Sequence, residues 1–235
     1  MLITRMIPGP VETVDAGTDA GRAWLEAAYA PPAGPFVRLN MVTSLTGGAT
    51  GSDGTSDTLT SPLDRTVLGI IRASSDVVVV GAQTVRAEKY IVPRRTRLAI
   101  VTASGRLDGL RIEAEDAGRV VVLCPADRAE AVRATVAESA IEVLPIAGDG
   151  DLTPEAIVAS LADRGWTRVV CEGGPGLASQ FAAAGAIDEY CVTVAPRIGA
   201  SPAPFLHVQH DIAAEPRALL VDDAGFSYLR LRPRP

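Results

Sequence analysis

Five short strand-like runs punctuate the middle of the chain: "DVVVVGA", which is uniformly apolar, then "RLAIVT", "RVVVLC", "IEVLPI" and "TRVVCEGG". A strand that is apolar at every position buries both faces, which is the habit of a parallel sheet covered by helices. Helical stretches lie between several of these runs: "ADRAEAVRATVAES", "PEAIVASLADRG" and "PGLASQFAAAG". This alternation predicts parallel βαβ units. The end of the chain differs. "DEYCVTVAPRIG" reads as a longer strand, and "RALLVDD" with "FSYLRLR" as an antiparallel hairpin across "DDAG". The predicted fold class is therefore α/β, a mixed, mainly parallel sheet flanked by helices and closed by a C-terminal antiparallel hairpin.

The first 34 residues read as a lead-in followed by one short helix, and residues 35–235 as a single domain. Within it, residues 1–17 read as a loosely ordered lead-in. "TDAGRAWLEAAYA" is a helix capped by Thr18 or Asp19, with Trp24, Ala27 and Ala28 on one face. "APPAGP" is a stiff connector and "FVRLNMV" a strand, followed by a Gly/Ser/Thr/Asp-rich loop over residues 46–60. Loops of that length in compact domains are usually functional or mobile. Ser61-Pro62 starts the next helix, since serine caps and proline suits the first turn. That helix continues through "LDRTVLGIIRASS", with Val67, Leu68, Ile70 and Ile71 turned inward.

Several function classes are disfavoured before any motif is considered. With 22 basic against 28 acidic residues the net charge is −6, which argues against a nucleic-acid partner. No window approaches the roughly 18 uninterrupted apolar residues of a membrane span. The N-terminus makes a poor signal peptide, so a cytoplasmic protein is expected. Cys124, Cys171 and Cys191 lie in or beside apolar runs without C-x-x-C spacing and read as core thiols. His207 and His210 lack further ligands at metal spacing, so no metal is expected. Lys89 is the only lysine, which leaves one candidate for Schiff-base chemistry and makes that chemistry a poor guess.

Ligands of open α/β sheets bind beyond the carboxyl ends of the strands. Three such ends are unusual: "TSLTGG", "VGAQTV" and "CEGGPG". In the last, Gly173, Gly174, Pro175, Gly176 and Leu177 join a strand to a helix. Their free N–H groups suit a pyrophosphate, although a plain strand–helix turn would look the same. The turn lacks the G-x-G-x-x-G fingerprint, because Ser179 stands where that pattern needs glycine or alanine. Glu172 precedes the turn, where a carboxylate binds ring N–H groups, assists proton transfer or simply faces a helix dipole. Gly81 and Thr84 repeat the theme, and Thr102, Ser104 and Arg106 follow another strand end. Arg72, Arg94 and Arg95 are candidate phosphate ligands or members of a solvated basic face.

In order along the chain, "NMVTSLTGG", "SPLDRTVLGIIRASSDVVVVGAQTV", "LAIVTASGRLD" and "VVCEGGPGLASQFAAAGAIDEYCVTVAPRIG" resemble the riboflavin-biosynthesis reductase domain of the dihydrofolate-reductase-like superfamily. The likeness covers roughly residues 35–200. It implies NADPH-dependent reduction of 5-amino-6-(5-phosphoribosylamino)uracil to the ribitylamino form, in a protein that is usually a homodimer. Matched by position, Thr43, Gly81, Thr84, Val85, Glu88 and Ser104, with Gly174 through Leu177, would line the cofactor site. Thr102 and Gly173 adjoin it. Asn40, Thr46, Ser56, Arg72, Arg95 and Glu172 would face the heterocyclic substrate, with Glu172 as the catalytic candidate. Fused relatives carry a zinc deaminase with H-x-E and P-C-x-x-C motifs, neither of which occurs in this chain.

At one position the chain leaves the pattern. The family commonly reads S-L-D-G, and here the acid is replaced by Thr46. A site built around a bonded polar group discriminates strongly against ligands that lack the partner. Reduction of another heterocycle, such as dihydrofolate, is therefore an alternative, and a nucleotide-binding homologue without turnover is a third.

Overall fold

In the computed structural model of the chain, residues 1–88, 90–147, 152–199 and 203–234 are described; Lys89 lies outside them. The chain begins with β1 (Leu2–Ile7) and β2 (Glu12–Asp15), then α1 (Asp19–Ala28), β3 (Phe36–Ser44) and α2 (Pro62–Ala73). There follow β4 (Val77–Gly81), α3 (Ala82–Ala87), β5 (Arg97–Val101), β6 (Val120–Pro125), α4 (Ala129–Thr135) and β7 (Glu142–Ile146). The last elements are α5 (Pro154–Ala162), β8 (Arg168–Cys171), α6 (Pro175–Ala183), β9 (Glu189–Ala195), β10 (Ala214–Asp222) and β11 (Ser227–Pro233).

All described strands join one sheet in the order β2-β1-β10-β11-β9-β3-β8-β4-β5-β6-β7. From β9 to β7 the neighbours run parallel, and β2, β1, β10, β11 and β9 pair antiparallel. This is the mixed, mainly parallel sheet with an antiparallel C-terminal hairpin that the sequence pattern predicts. Helices cover both faces. Leu25, Leu63, Val67, Val85 and Val132 bring α1 to α4 onto one core, shared with Val78 and Val80. Ile157, Leu161, Ala178 and Phe181 bring α5 and α6 onto the other, shared with Val77 and Val79. Successive residues of β4 thus alternate between the two cores, which is why the strand is apolar throughout.

The caps follow the sequence signals. Thr18 Oγ1 accepts the Gly21 N–H at 3.0 Å, and Ser61 Oγ accepts that of Asp64 at 3.0 Å with Pro62 in the first turn. The inward face of α1 is Gly21 and Leu25, while Trp24 and Ala28 are half-buried and Ala27 is exposed. Of Trp24, Ala27 and Ala28, which the sequence pattern places on one face, Ala27 is the exposed one. On α2, Val67, Ile70 and Ile71 are buried, but Leu68 faces a cleft.

The N-terminal segment differs from a loose lead-in. Residues 2–7 pair with β10 and residues 12–15 with β1, extending the sheet. That pairing partner lies more than 200 positions away in sequence (Ile3 opposes Asp222), so no local pattern announces it. Cys124, Cys171 and Cys191 are all buried and free. No helix among the described residues is long and apolar enough to cross a membrane.

Candidate functional site

The strands β3, β8, β4 and β5 are adjacent and parallel, so their carboxyl ends form one row. Along that row runs a cleft of about 1030 Å³, bounded also by one face of α2 and the loop before it. Its position is where an open parallel sheet ordinarily holds a ligand.

The turn after β8 is locked to the turn after β4. Gly81 donates its N–H to Gly173 O at 2.7 Å, and Gly174 donates to Thr84 Oγ1 at 2.7 Å. Gly173 has φ +81°, a conformation that side chains rarely adopt. A Cβ on Gly174 would meet Thr84 Oγ1 at 2.5 Å, whereas one on Gly176 would meet nothing within 4 Å. The turn is therefore backed by α3 and open at Gly176. Gly174 caps α6 without any side-chain hydrogen bond, which leaves the first-turn N–H groups of Gly176 and Leu177 as donors at the cleft wall.

Next to this turn Glu172 meets Arg72. Arg72 donates from Nε to Oε1 at 2.7 Å and from Nη2 to Oε2 at 2.7 Å, a bidentate pair. Tyr90 O–H donates to Oε2 of the same carboxylate and accepts from Arg72 Nη2 at 2.6 Å. Burial, reinforced by the Glu172 charge, pushes the Tyr90 phenol well above its usual range. For Arg72, burial works against the charge, yet the bonds and charge of Glu172 hold it protonated.

Farther along the cleft Glu88 accepts from Ser56 N (3.0 and 3.2 Å) and from Ser56 Oγ (3.0 Å). These bonds fasten the 46–60 loop to the end of α3. Asp64, Leu68 and Arg72 recur at helical spacing along α2 and all line the cleft. Asp64 is only 8% exposed, and burial raises its carboxyl to about 6 against the opposing hydrogen bond from Thr193.

Most of the residues expected at a site do meet here. Gly81, Thr84, Glu88, Thr102 and Ser104 line the cleft, as do Gly174, Pro175, Gly176 and Leu177. So do Asn40, Ser56, Arg72 and Glu172. Five do not. Thr43 is buried, with Oγ1 donating to Ser44 O and Gly48 O. Val85 belongs to the core at 3% exposure, and Gly173 serves the cleft through its backbone bond to Gly81. Arg95 is exposed outside the cleft. Thr46, expected to replace the family acid, spends its hydroxyl on Gly199 O and Ser44 Oγ. Arg106 is likewise tied to Asp108 at 3.1 Å and exposed. The cleft also contains Asp64, Leu68 and Tyr90, which sequence reasoning missed. The signal for Asp64 and Leu68 was their i, i+4, i+8 spacing with Arg72.

By comparison with known proteins, residues 35–222 match the family model described as the RibD C-terminal domain. No curated protein matches the chain by sequence. Among solved structures, a pyrimidine reductase-like protein from Corynebacterium diphtheriae superposes with TM-score 0.73 at 20% identity, over 86% of this chain and 92% of that one. The riboflavin biosynthesis reductase Rib7 of Saccharomyces cerevisiae gives 0.69 at 16% identity, over 92% and 100%. The RibD of Acinetobacter baumannii gives 0.69 at 23% identity, over 86% of this chain but only 59% of that longer one. At these identities the superpositions speak for the shared fold, and the match over 35–222 speaks for descent: the chain belongs to the RibD C-terminal domain family.

Proposed function

We propose that this protein is an NADPH-dependent reductase of the riboflavin pathway, acting on 5-amino-6-(5-phosphoribosylamino)uracil to form the ribitylamino product by direct hydride transfer. The observation that carries the reading is the meeting, on one cleft, of the open Gly174–Leu177 turn and the Arg72–Glu172 pair. A cleft of about 1030 Å³ has room for a dinucleotide and a small heterocycle together.

The fit of a dinucleotide is supported by the turn itself, backed by Thr84 and free of obstruction at Gly176. Gly81, Thr84, Thr102, Ser104 and the turn would hold the cofactor, with the α6 N-terminus favouring its phosphates. When bound, NADPH supplies a hydride. Asn40, Ser56, Arg72 and Glu172 would orient the substrate, Glu172 accepting from ring N–H groups while Arg72 and Tyr90 fix its rotamer. Positioning of this kind contributes much of the rate by holding the reacting atoms in near-attack geometry. We further propose a cytoplasmic homodimer; β9, an apolar strand that could have formed its interface, is instead buried between β11 and β3.

The test is NADPH oxidation by purified protein. Consumption with the pyrimidinedione ribosylamine phosphate is the expected result. Consumption only with dihydrofolate or another ring would replace the substrate assignment, and failure to bind NADPH at all would overturn the reading. Sedimentation of the same preparation reports the dimer.

A further inference from the structure

Glu172 lines the cleft, yet only 7% of its side chain is exposed, so its neighbours decide what it can accept from a ligand. A carboxylate carries about four lone-pair positions. Two of these, one on each oxygen, lie side by side and receive a parallel pair of N–H groups. Arg72 fills that edge, from Nε to Oε1 and from Nη2 to Oε2, both at 2.7 Å. Tyr90 O–H takes the outer position on Oε2. What remains is the outer position on Oε1.

The guanidinium is held from its other side as well. Tyr90 Oη accepts from Arg72 Nη2 at 2.6 Å, and the guanidinium carbon lies 5.1 Å from the centroid of the Tyr90 ring. Burial keeps the Tyr90 phenol protonated, so it stays a donor to Glu172. Arg72 Nη1 forms no hydrogen bond among the described residues, which leaves its two N–H groups for an oxygen of the ligand. The cluster therefore offers a ligand one acceptor position and a pair of donors.

We propose that Arg72, seated by Tyr90, is the specificity-determining residue of this cleft: it withholds from ligands the edge of Glu172 that would bind two adjacent N–H groups. A ring whose N–H stands between two carbonyls, as in a pyrimidinedione, needs only the one position left. A ring with an amino group beside a ring N–H, as in a pterin or a protonated diaminopyrimidine, presents two parallel donors and leaves one of them without an acceptor. A buried N–H without a partner is the kind of mismatch that discriminates strongly between ligands. The assignment rests on the reductase reading above and deepens it, setting dioxo rings apart from the amino-substituted rings of the dihydrofolate class.

Two small probes, uracil and 2,4-diaminopyrimidine, test this by binding alone, followed by ligand-observed NMR titration near neutral pH. The unaltered protein should bind uracil at least about tenfold more tightly than 2,4-diaminopyrimidine. Arg72→Met uncovers the edge of Glu172, so the ratio should fall by about tenfold or reverse, with the gain on the diaminopyrimidine side. Arg72→Lys keeps the charge but cannot span both oxygens; it should move the ratio the same way, and it serves if Arg72→Met does not fold. Tyr90→Phe leaves both 2.7 Å bonds in place and should hold the order of the probes at a smaller ratio. Uracil that fails to bind the unaltered protein, 2,4-diaminopyrimidine that binds it equally well or better, or an unchanged ratio in the folded Arg72 variants would each overturn the proposal. None of these outcomes touches the reductase reading, whose own failure is read separately, as the absence of NADPH oxidation with any heterocycle.

Discussion

Arg72 and Glu172 face each other through two N–H···O bonds of 2.7 Å, although 100 residues separate them. The pair joins α2 to the end of β8, and Tyr90 closes it from the side. Glu172→Gln keeps the shape but removes the charge that balances a mostly buried guanidinium. The cost should be on the order of 3 kcal/mol of stability by urea unfolding. kcat/KM for the pyrimidine substrate should drop by about 10²-fold, since the ring loses a fixed acceptor. Arg72→Lys should recover little, because an ammonium cannot reproduce the planar fork. Steady-state kinetics of both variants decide this.

How much of this was legible beforehand depends on the range of the interaction. Gly81, Gly174 and Gly176 announce themselves because a strand end beside a helix start needs backbone freedom, a local requirement. Ser61-Pro62 fixes the start of α2 for the same reason, and with it the line Asp64–Leu68–Arg72. Arg95 and Thr46 could not be placed this way. Both follow strands or precede them at suitable distances, but Arg95 is exposed and Thr46 bonds to Gly199 across 153 positions. The strands β1 and β2 were missed on similar grounds, their pairing being set by β10 at the far end of the chain. Glu88 and Ser56 were both read as ligand contacts, and in the structure they bond to each other.

The contact between Gly174 and Thr84 gives a second prediction. A side chain at 174 would collide with Thr84 Oγ1 at 2.5 Å, so Gly174→Ala should displace the turn and weaken NADPH binding at least tenfold. Gly174→Val should do more. Trimming the obstacle in Thr84→Ala makes room at the cost of the 2.7 Å bond from Gly174 N. The double variant should therefore bind NADPH better than Gly174→Ala alone, a non-additive result in a calorimetric cycle. Strict additivity would mean that the two residues act independently.

Thr46 yields a prediction that departs from the family pattern. Its hydroxyl donates to Gly199 O and accepts from Gly199 N at 3.3 Å, holding the loop after β3 to the segment after β9. A carboxylate in its place keeps the acceptor but loses the donor, and sets a negative charge against a carbonyl oxygen. Thr46→Asp should destabilise the protein by about 1 kcal/mol. It should leave kcat/KM for the pyrimidine substrate no higher than before. A several-fold rise would show that the substituted loop turns toward the cleft and that the family acid can act from this position.

Glu189 anchors the opposite flank of β3. It is fully buried between Arg38 and Arg230, bonded at 2.9 Å from Arg38 Nε and 2.8 Å from Arg230 Nη2. Arg230 also lies over the Tyr29 ring, 5.4 Å from its centroid, so the cluster ties α1 to β11, β9 and β3. Burial alone would raise the Glu189 carboxyl, yet the two guanidiniums prevail and hold it below its usual range. A carboxylate with a depressed folded value contributes stability above the unfolded value of 4.5, and that contribution fades as pH falls through the lower folded value. Glu189→Gln leaves two buried cations without a counter-charge, a loss of roughly 3–5 kcal/mol. Its melting temperature at neutral pH should fall by roughly 10 °C. The deficit should narrow below about pH 4, where the unaltered protein begins to lose the same charge. Calorimetric scans of both proteins across that range test the direction: a deficit that widens on acidification would rule out the charge cluster as its source.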